Sequence, residues 1–186
     1  MEKKRFKKIV KFLENPNKRG DIPPEQLLQL IPIKKDDNIL DLGAGSGYIT
    51  IPAAKYVEGV VYALDINSTM LEIIKSKAKQ ENIGNLVTLE ASIDNIPLEN
   101  STIDISLASF VLHEVMELSI ALEKINQVLK KNGHFVCVEF EKNEPYEEPH
   151  PRISSTTMEQ EILKAGFHVI EKIFPTKGVY IIIAKK

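Results

Sequence analysis

Short apolar runs bounded by turn residues alternate along the chain with longer stretches whose apolar positions recur at helical spacing. The short runs predict buried strands at residues 38–42, 60–64, 86–90, 103–108 and 134–140. Between them the spacing predicts helices over 48–56, 68–81 and 118–131, with Ser68 as an N-cap and Asn132-Gly133 as a C-terminal stop. Upstream, residues 5–13 and 23–31 read as two further helices, the second opened by Asp21 and the Pro23-Pro24 pair, since proline in a first helical turn loses no needed hydrogen bond. Each crossover between strands is long enough for parallel pairing. Beyond 140 the pattern changes to a polar stretch over 141–155, then a helix over 156–165 closed by Gly166. Two last apolar runs, 167–174 and 178–184, are separated by Pro175-Thr176-Lys177, too short for a parallel crossover, so they should pair as an antiparallel hairpin. The expected fold is α/β: a doubly wound sheet of seven strands, five parallel and a closing hairpin, in a single domain over residues 1–186.

Composition fits that fold, with 43% hydrophobic and 27% charged residues among 186. No apolar run approaches the roughly 18 residues that cross a bilayer, so no membrane span is predicted and the expected location is cytoplasmic. The one cysteine, Cys137, lies inside an apolar run and reads as a buried strand residue. Net charge is −2, which gives no global attraction to nucleic acid, although residues 1–20 carry eight Lys or Arg against Glu2 and Glu14. That arm reads first as a solvated helix face. The four His stand at 113, 134, 150 and 168 without ligand spacing, and no metal is expected.

The segment Asn38-Ile39-Leu40-Asp41-Leu42-Gly43-Ala44-Gly45-Ser46-Gly47-Tyr48 runs an apolar strand into a loop with glycine at every second position and then into a helix. Glycine permits left-handed backbone angles and lets a ligand approach bare peptide groups. Eighteen residues after Gly47, Asp65 ends the next strand, at a spacing suited to accepting hydrogen bonds from both hydroxyls of a ribose. A dinucleotide site would carry G-x-G-x-x-G and need glycine at position 48, where this chain has Tyr48.

Residues 39–50 resemble motif I of the class I S-adenosylmethionine-dependent methyltransferases, with Asp41 and Gly43, Ala44, Gly45 and Gly47 on its acidic and glycine-loop positions. Ala63-Leu64-Asp65-Ile66 resembles the segment that follows in that family, which implies that Asp65 holds the ribose and Ile66 packs on adenine. Ala91-Ser92-Ile93-Asp94-Asn95-Ile96-Pro97-Leu98 resembles the family's adenine-amino loop, with Ser92 where aspartate is usual, and implies that Ser92 and Ile93 flank the adenine. The likeness continues through residues 101–115, including Ala108 at the donor site. It extends over about 25–186, and the Pro-Arg-Ile-Ser turn at 151–154 matches the ubiquinone/menaquinone-biosynthesis type of small-molecule methyltransferase. The implied cofactor is S-adenosylmethionine and the implied partner a small-molecule acceptor. Asp41 would serve the donor's amino group directly or through water.

On the acceptor side, His113 follows the fourth strand and titrates near neutrality, which makes it the candidate general base. Glu114 and Glu139 lie near strand tips, and His150 and Arg152 lie in the polar segment, all four as candidate acceptor contacts. The N-terminal helices within residues 1–35 are the candidate cover, and the exposed face of the terminal hairpin is the candidate homodimer surface. Ala108-Ser109-Phe110-Val111 stands where methyltransferases of base amino groups carry Asn-Pro-Pro-Tyr, which argues against such acceptors. Two alternatives stay open: a non-catalytic module that binds S-adenosylmethionine, and a nucleotide-dependent oxidoreductase.

Overall fold

The computed structural model describes Asn15 and residues 22–142 and 151–186. The basic arm, the helix expected over 5–13, Asp21 and His150 lie outside the described residues. A seven-stranded sheet runs in the order β3-β2-β1-β4-β5-β7-β6. Its strands are β1 (Ile39–Leu42), β2 (Val61–Asp65), β3 (Leu86–Glu90), β4 (Ile103–Ser109), β5 (Leu129–Phe140), β6 (His168–Thr176) and β7 (Val179–Lys185). The first five pair in parallel, and β7 runs antiparallel between β5 and β6. The expected parallel sheet and closing hairpin are both present.

Parallel strands read as continuous apolar runs because helices cover both faces. Along β1, Ile39 packs on one side with Leu27, Leu28 and Ile31 around α1 (Pro24–Gln29) and with Ala53 and Ala54 of α2 (Thr50–Tyr56). Leu40 and Leu42 turn to the opposite side, against Leu122 and Ile125 of α4 (Leu118–Val128) and Met158 and Ile162 of α5 (Ser155–Lys164). Among the described residues the remaining helix, α3 (Ser68–Gln80), covers Ala63 of β2 through Leu71 and Ile74. Cys137 is fully buried in β5, and burial raises its thiol pKa.

Four local expectations are corrected. The N-cap of α3 is Asn67 rather than Ser68: the Asn67 side chain accepts hydrogen bonds from the backbone N–H groups of Thr69 and Met70. Helix α4 stops at Val128 instead of continuing to 131, because Leu129 is already extended and pairs with Ile103, burying its side chain in the sheet. Asn132 then takes a left-handed turn, with φ +68, inside the start of β5 rather than at a helix end. Helix α2 begins at Thr50, not 48, because the glycine loop holds left-handed angles as far as Gly47, with φ +85.

Replacing Asn67 with alanine removes the acceptor for two helix-end N–H groups and should lower stability by about 1 kcal/mol. Ser68→Ala should change it by a few tenths at most. Urea unfolding of the two variants checks this, and an equal loss in both would return the cap to Ser68.

Candidate functional site

The chain reverses its direction of growth across the sheet between β1 and β4: β2 and β3 lie to one side and β5 to the other. Such a reversal opens a crevice beyond the carboxyl ends of the strands. A small open pocket lies there, lined by Asp41, Gly43, Ala44, Gly45, Ser46, Tyr48, Ile49 and Ser109. Asp41 is 2% exposed and its Oδ2 accepts a 2.5 Å hydrogen bond from Thr50 Oγ1, so the first turn of α2 is tied to the end of β1.

Gly43, Gly45 and Gly47 have φ of +63, +52 and +85. At two of them a side chain meets protein as well. A Cβ on Gly43 would lie 2.4 Å from Val111 Cγ2, and one on Gly47 would lie 3.0 Å from Ile74 Cγ1. Room for the loop following β4 and for α3 is therefore a second reason for these glycines, beside the ligand approach read from sequence. Asp65 holds the loop from the neighbouring strand: the Gly45 N–H donates to Oδ2 at 2.8 Å and the Asn67 N–H donates to Oδ1 at 2.8 Å. A carboxylate offers about four lone-pair sites, so one remains on each oxygen. Beside it Ile66 is 75% exposed, an apolar side chain at the rim of the crevice.

The other expected donor residues divide. Ser92 is exposed ahead of the short 3-10 turn Ile93–Asn95, whereas Ile93 is buried in the core. Ala108 is buried in β4 between Leu42 and Cys137. Ser109, which follows it, was not singled out from sequence. Its Oγ is buried and has no hydrogen-bond partner among the described residues, although it borders the pocket. Its position directly after the apolar run of β4 was the available signal.

Beyond Ser109 the chain bends sharply. Phe110 sits at φ +54, a costly angle for a bulky residue, held by its N–H to Val138 O at 2.8 Å and by its ring 4.2 Å from that of Phe140. The bend leads into the 3-10 turn Leu112–Glu114, and a buried carboxylate anchors it. Glu139 of β5 is 1% exposed; its Oε1 accepts from the Leu112 N–H at 2.8 Å and the His113 N–H at 3.4 Å, and its Oε2 lies 2.8 Å from His113 Nδ1. Glu139 is thus neither a solvated residue nor an exposed acceptor contact. Glu114 is exposed, with Oε1 3.9 Å from His113 Nε2. Arg152 stacks its guanidinium 5.0 Å from the Phe140 ring and donates to Glu141 O at 3.1 Å.

The hydrogen bond and charge of Glu139 raise the His113 pKa above the ordinary imidazole value, with Glu114 adding to the rise while burial and Arg152 oppose it. A histidine pKa raised by folding stabilises the fold fully below the unfolded value near 6.5, and that contribution is lost as pH rises through the folded value.

A family profile described as a methyltransferase domain matches residues 40–137, more than half of the chain and the whole stretch from β1 to the middle of β5. The chain belongs to the methyltransferase-domain family. Within it, the ubiquinone/menaquinone biosynthesis C-methyltransferase UbiE of Zymomonas mobilis is 33% identical over 116 residues, 62% of this chain and 48% of that protein. The UbiE of Teredinibacter turnerae is 31% identical over 118 residues, 62% of this chain and 47% of that protein. This methyltransferase-domain chain spans about half the length of the curated relatives it matches. A crystal structure of a SAM-dependent methyltransferase from Aquifex aeolicus superposes with a TM-score of 0.85 at 25% identity, covering 96% of this chain and 97% of the other. The [4+2]-cyclase SpnF shares the fold at a TM-score of 0.80 and 15% identity, covering 88% of this chain and 80% of its own.

Gly43→Ala should cost about 1–3 kcal/mol through the clash with Val111, with strain at positive φ added. Adding Val111→Ala removes the two methyl contacts but keeps the residue 111 Cβ 2.8 Å away, so it should recover part of the clash and leave the backbone strain. A double-mutant cycle by chemical denaturation measures the coupling, and additive losses would show that Val111 does not confine Gly43.

Proposed function

We propose that this chain, as one methyltransferase domain, binds S-adenosylmethionine across the tips of β1 and β2 and transfers its methyl group to a small-molecule acceptor above β4 and β5. The observation that carries the reading is the Asp65 carboxylate at the mouth of the glycine loop, with both oxygens steered by backbone N–H groups and one lone-pair site left on each. Two vicinal hydroxyls of a ribose are the natural occupants of such a pair.

The other residues fit the same ligand. Ile66 offers an exposed apolar surface for adenine, and Ser92 offers a hydroxyl beside it. Asp41 and the unpartnered Ser109 Oγ border the pocket where the amino-acid end would lie. The bound donor supplies an electrophilic methyl group on a sulfonium. The chain's own part is alignment of the acceptor at near-attack distance and exclusion of water, with His113 as the base for an acceptor that must lose a proton. Glu114 and Arg152 flank His113 as candidate acceptor contacts, and His150 remains a candidate.

The relatives named for ubiquinone/menaquinone biosynthesis C-methylation favour a small organic acceptor over a macromolecule. The described helices include none long and apolar enough to cross a membrane. The cytoplasm is the proposed compartment, and edge strand β6, with Ile170 and Phe174 exposed, is the proposed homodimer surface. A non-catalytic module that binds S-adenosylmethionine would keep the same donor site.

Asp65→Asn keeps one acceptor oxygen and removes the charge, so S-adenosylmethionine affinity should fall by about 1.5–3 kcal/mol, roughly 10- to 150-fold in Kd. Calorimetric titration measures it, and unchanged affinity would remove Asp65 from the donor site.

A further inference from the structure

Glu139 is the most deeply buried carboxylate beside the crevice, and every partner it shows is a nitrogen of the 112–114 turn. With its Oε1 receiving two backbone N–H groups and its Oε2 against the imidazole, it acts as an acceptor throughout, so His113 Nδ1 must be the donor in that contact. In the neutral ring, one nitrogen carries the proton and the other a lone pair. A proton held on Nδ1 leaves the lone pair on Nε2. Nδ1 faces the buried Glu139, whereas Nε2 faces the side of Glu114, whose side chain is 71% exposed. The turn bearing it is lodged against the glycine loop through Val111.

We propose that Glu139 is a positioning residue that fixes His113 as the Nδ1–H tautomer, aims its Nε2 lone pair into the acceptor side of the crevice, and holds the imidazolium once a proton arrives there. The assignment rests on the reading of this crevice as a methyl-transfer site. It also narrows the acceptor to molecules whose nucleophilic atom carries a removable proton, such as a hydroxyl or an acidic carbon. In that step the acceptor's proton passes to Nε2, the electron pair it leaves forms the bond to the methyl carbon, and the C–S bond breaks with its pair retained on sulfur. The dyad changes from one net negative charge to none, and the sulfonium becomes a neutral thioether.

Among the described residues, three charged groups act on the ring: Glu139 from β5, Glu114 from its own turn and Arg152 from the segment ahead of α5. Glu139 acts by hydrogen bond and by charge, Glu114 by charge in the same sense, and Arg152 in the opposite sense. The dyad therefore stays protonated to a higher pH than a free imidazole and releases its proton above it.

The decisive substitution is Glu139→Gln, which keeps an oxygen for the Leu112 N–H and presents an amide N–H to Nδ1. That amide donor would force the proton onto Nε2. Nitrogen-detected or long-range proton–nitrogen NMR of the imidazoles in the full chain reads the tautomer and titrates His113, assigned by its loss in His113→Gln. The wild type should show the Nδ1–H form above its pKa. Glu139→Gln should show the Nε2–H form and a lower His113 pKa, since burial and Arg152 then act unopposed except by Glu114. An Nε2–H tautomer in the wild type, or an unchanged tautomer and pKa in Glu139→Gln, would overturn the assignment. If Glu139→Gln does not fold, the wild-type tautomer alone decides. Calorimetric titration of the wild type with S-adenosylmethionine reads the underlying function separately: absent binding would defeat that reading and leave the tautomer result standing, whereas binding with the wrong tautomer would defeat only the role of Glu139.

Discussion

Parallel pairing is the constraint on which this molecule depends, because it brings the carboxyl ends of β1 to β5 to one edge of the sheet. Each strand tip there must give way to a loop whose backbone groups have lost their ladder partners. Asp65, Ser109 and Glu139 stand at the ends of β2, β4 and β5 for this reason, as side chains beside freshly unpaired backbone. The reversal of strand order between β1 and β4 then separates two of these loops and leaves the crevice between them.

Two carboxylates use the same device for different ends. Asp65 accepts backbone N–H groups from the glycine loop and from Asn67 at the mouth of α3, and is half-buried with an acceptor site left on each oxygen. Glu139 accepts backbone N–H groups from the turn after β4, but it is sealed in the core and spends its second oxygen on an imidazole. The first arrangement suits binding a polyol. The second suits setting the protonation of a neighbour, since a charge so buried interacts strongly with whatever shares its cavity. Between them, contact of Val111 with Gly43 ties the two loops into one wall.

Much of this was legible in the chain. Short apolar runs bounded by turn residues marked the strands, and the short Pro175-Thr176-Lys177 connection required a hairpin, because a parallel return needs a crossover. The glycine spacing and Asp65 were readable together since strand, loop and next strand tip are local in sequence. What escaped was what depends on partners far along the chain. Glu139 is 26 residues from His113, and only the β4–β5 pairing brings them together. Ile93 looks like a ligand contact by motif position yet turns its side chain into the core. Asn67 rather than Ser68 is the cap because the backbone is still extended at Asn67 and already helical at Ser68, a difference of one position that pattern alone does not resolve. Helix α4 stops early because sheet pairing at Leu129 overrides helical spacing.

The most direct test of the donor site is a crystal structure of the chain grown with S-adenosylhomocysteine. The account predicts the ribose hydroxyls within hydrogen-bond distance of Asp65, the adenine against Ile66, and the sulfur pointing toward Ser109 and the His113 turn. A ligand bound elsewhere, or bound in the crevice with no contact to Asp65, would contradict it.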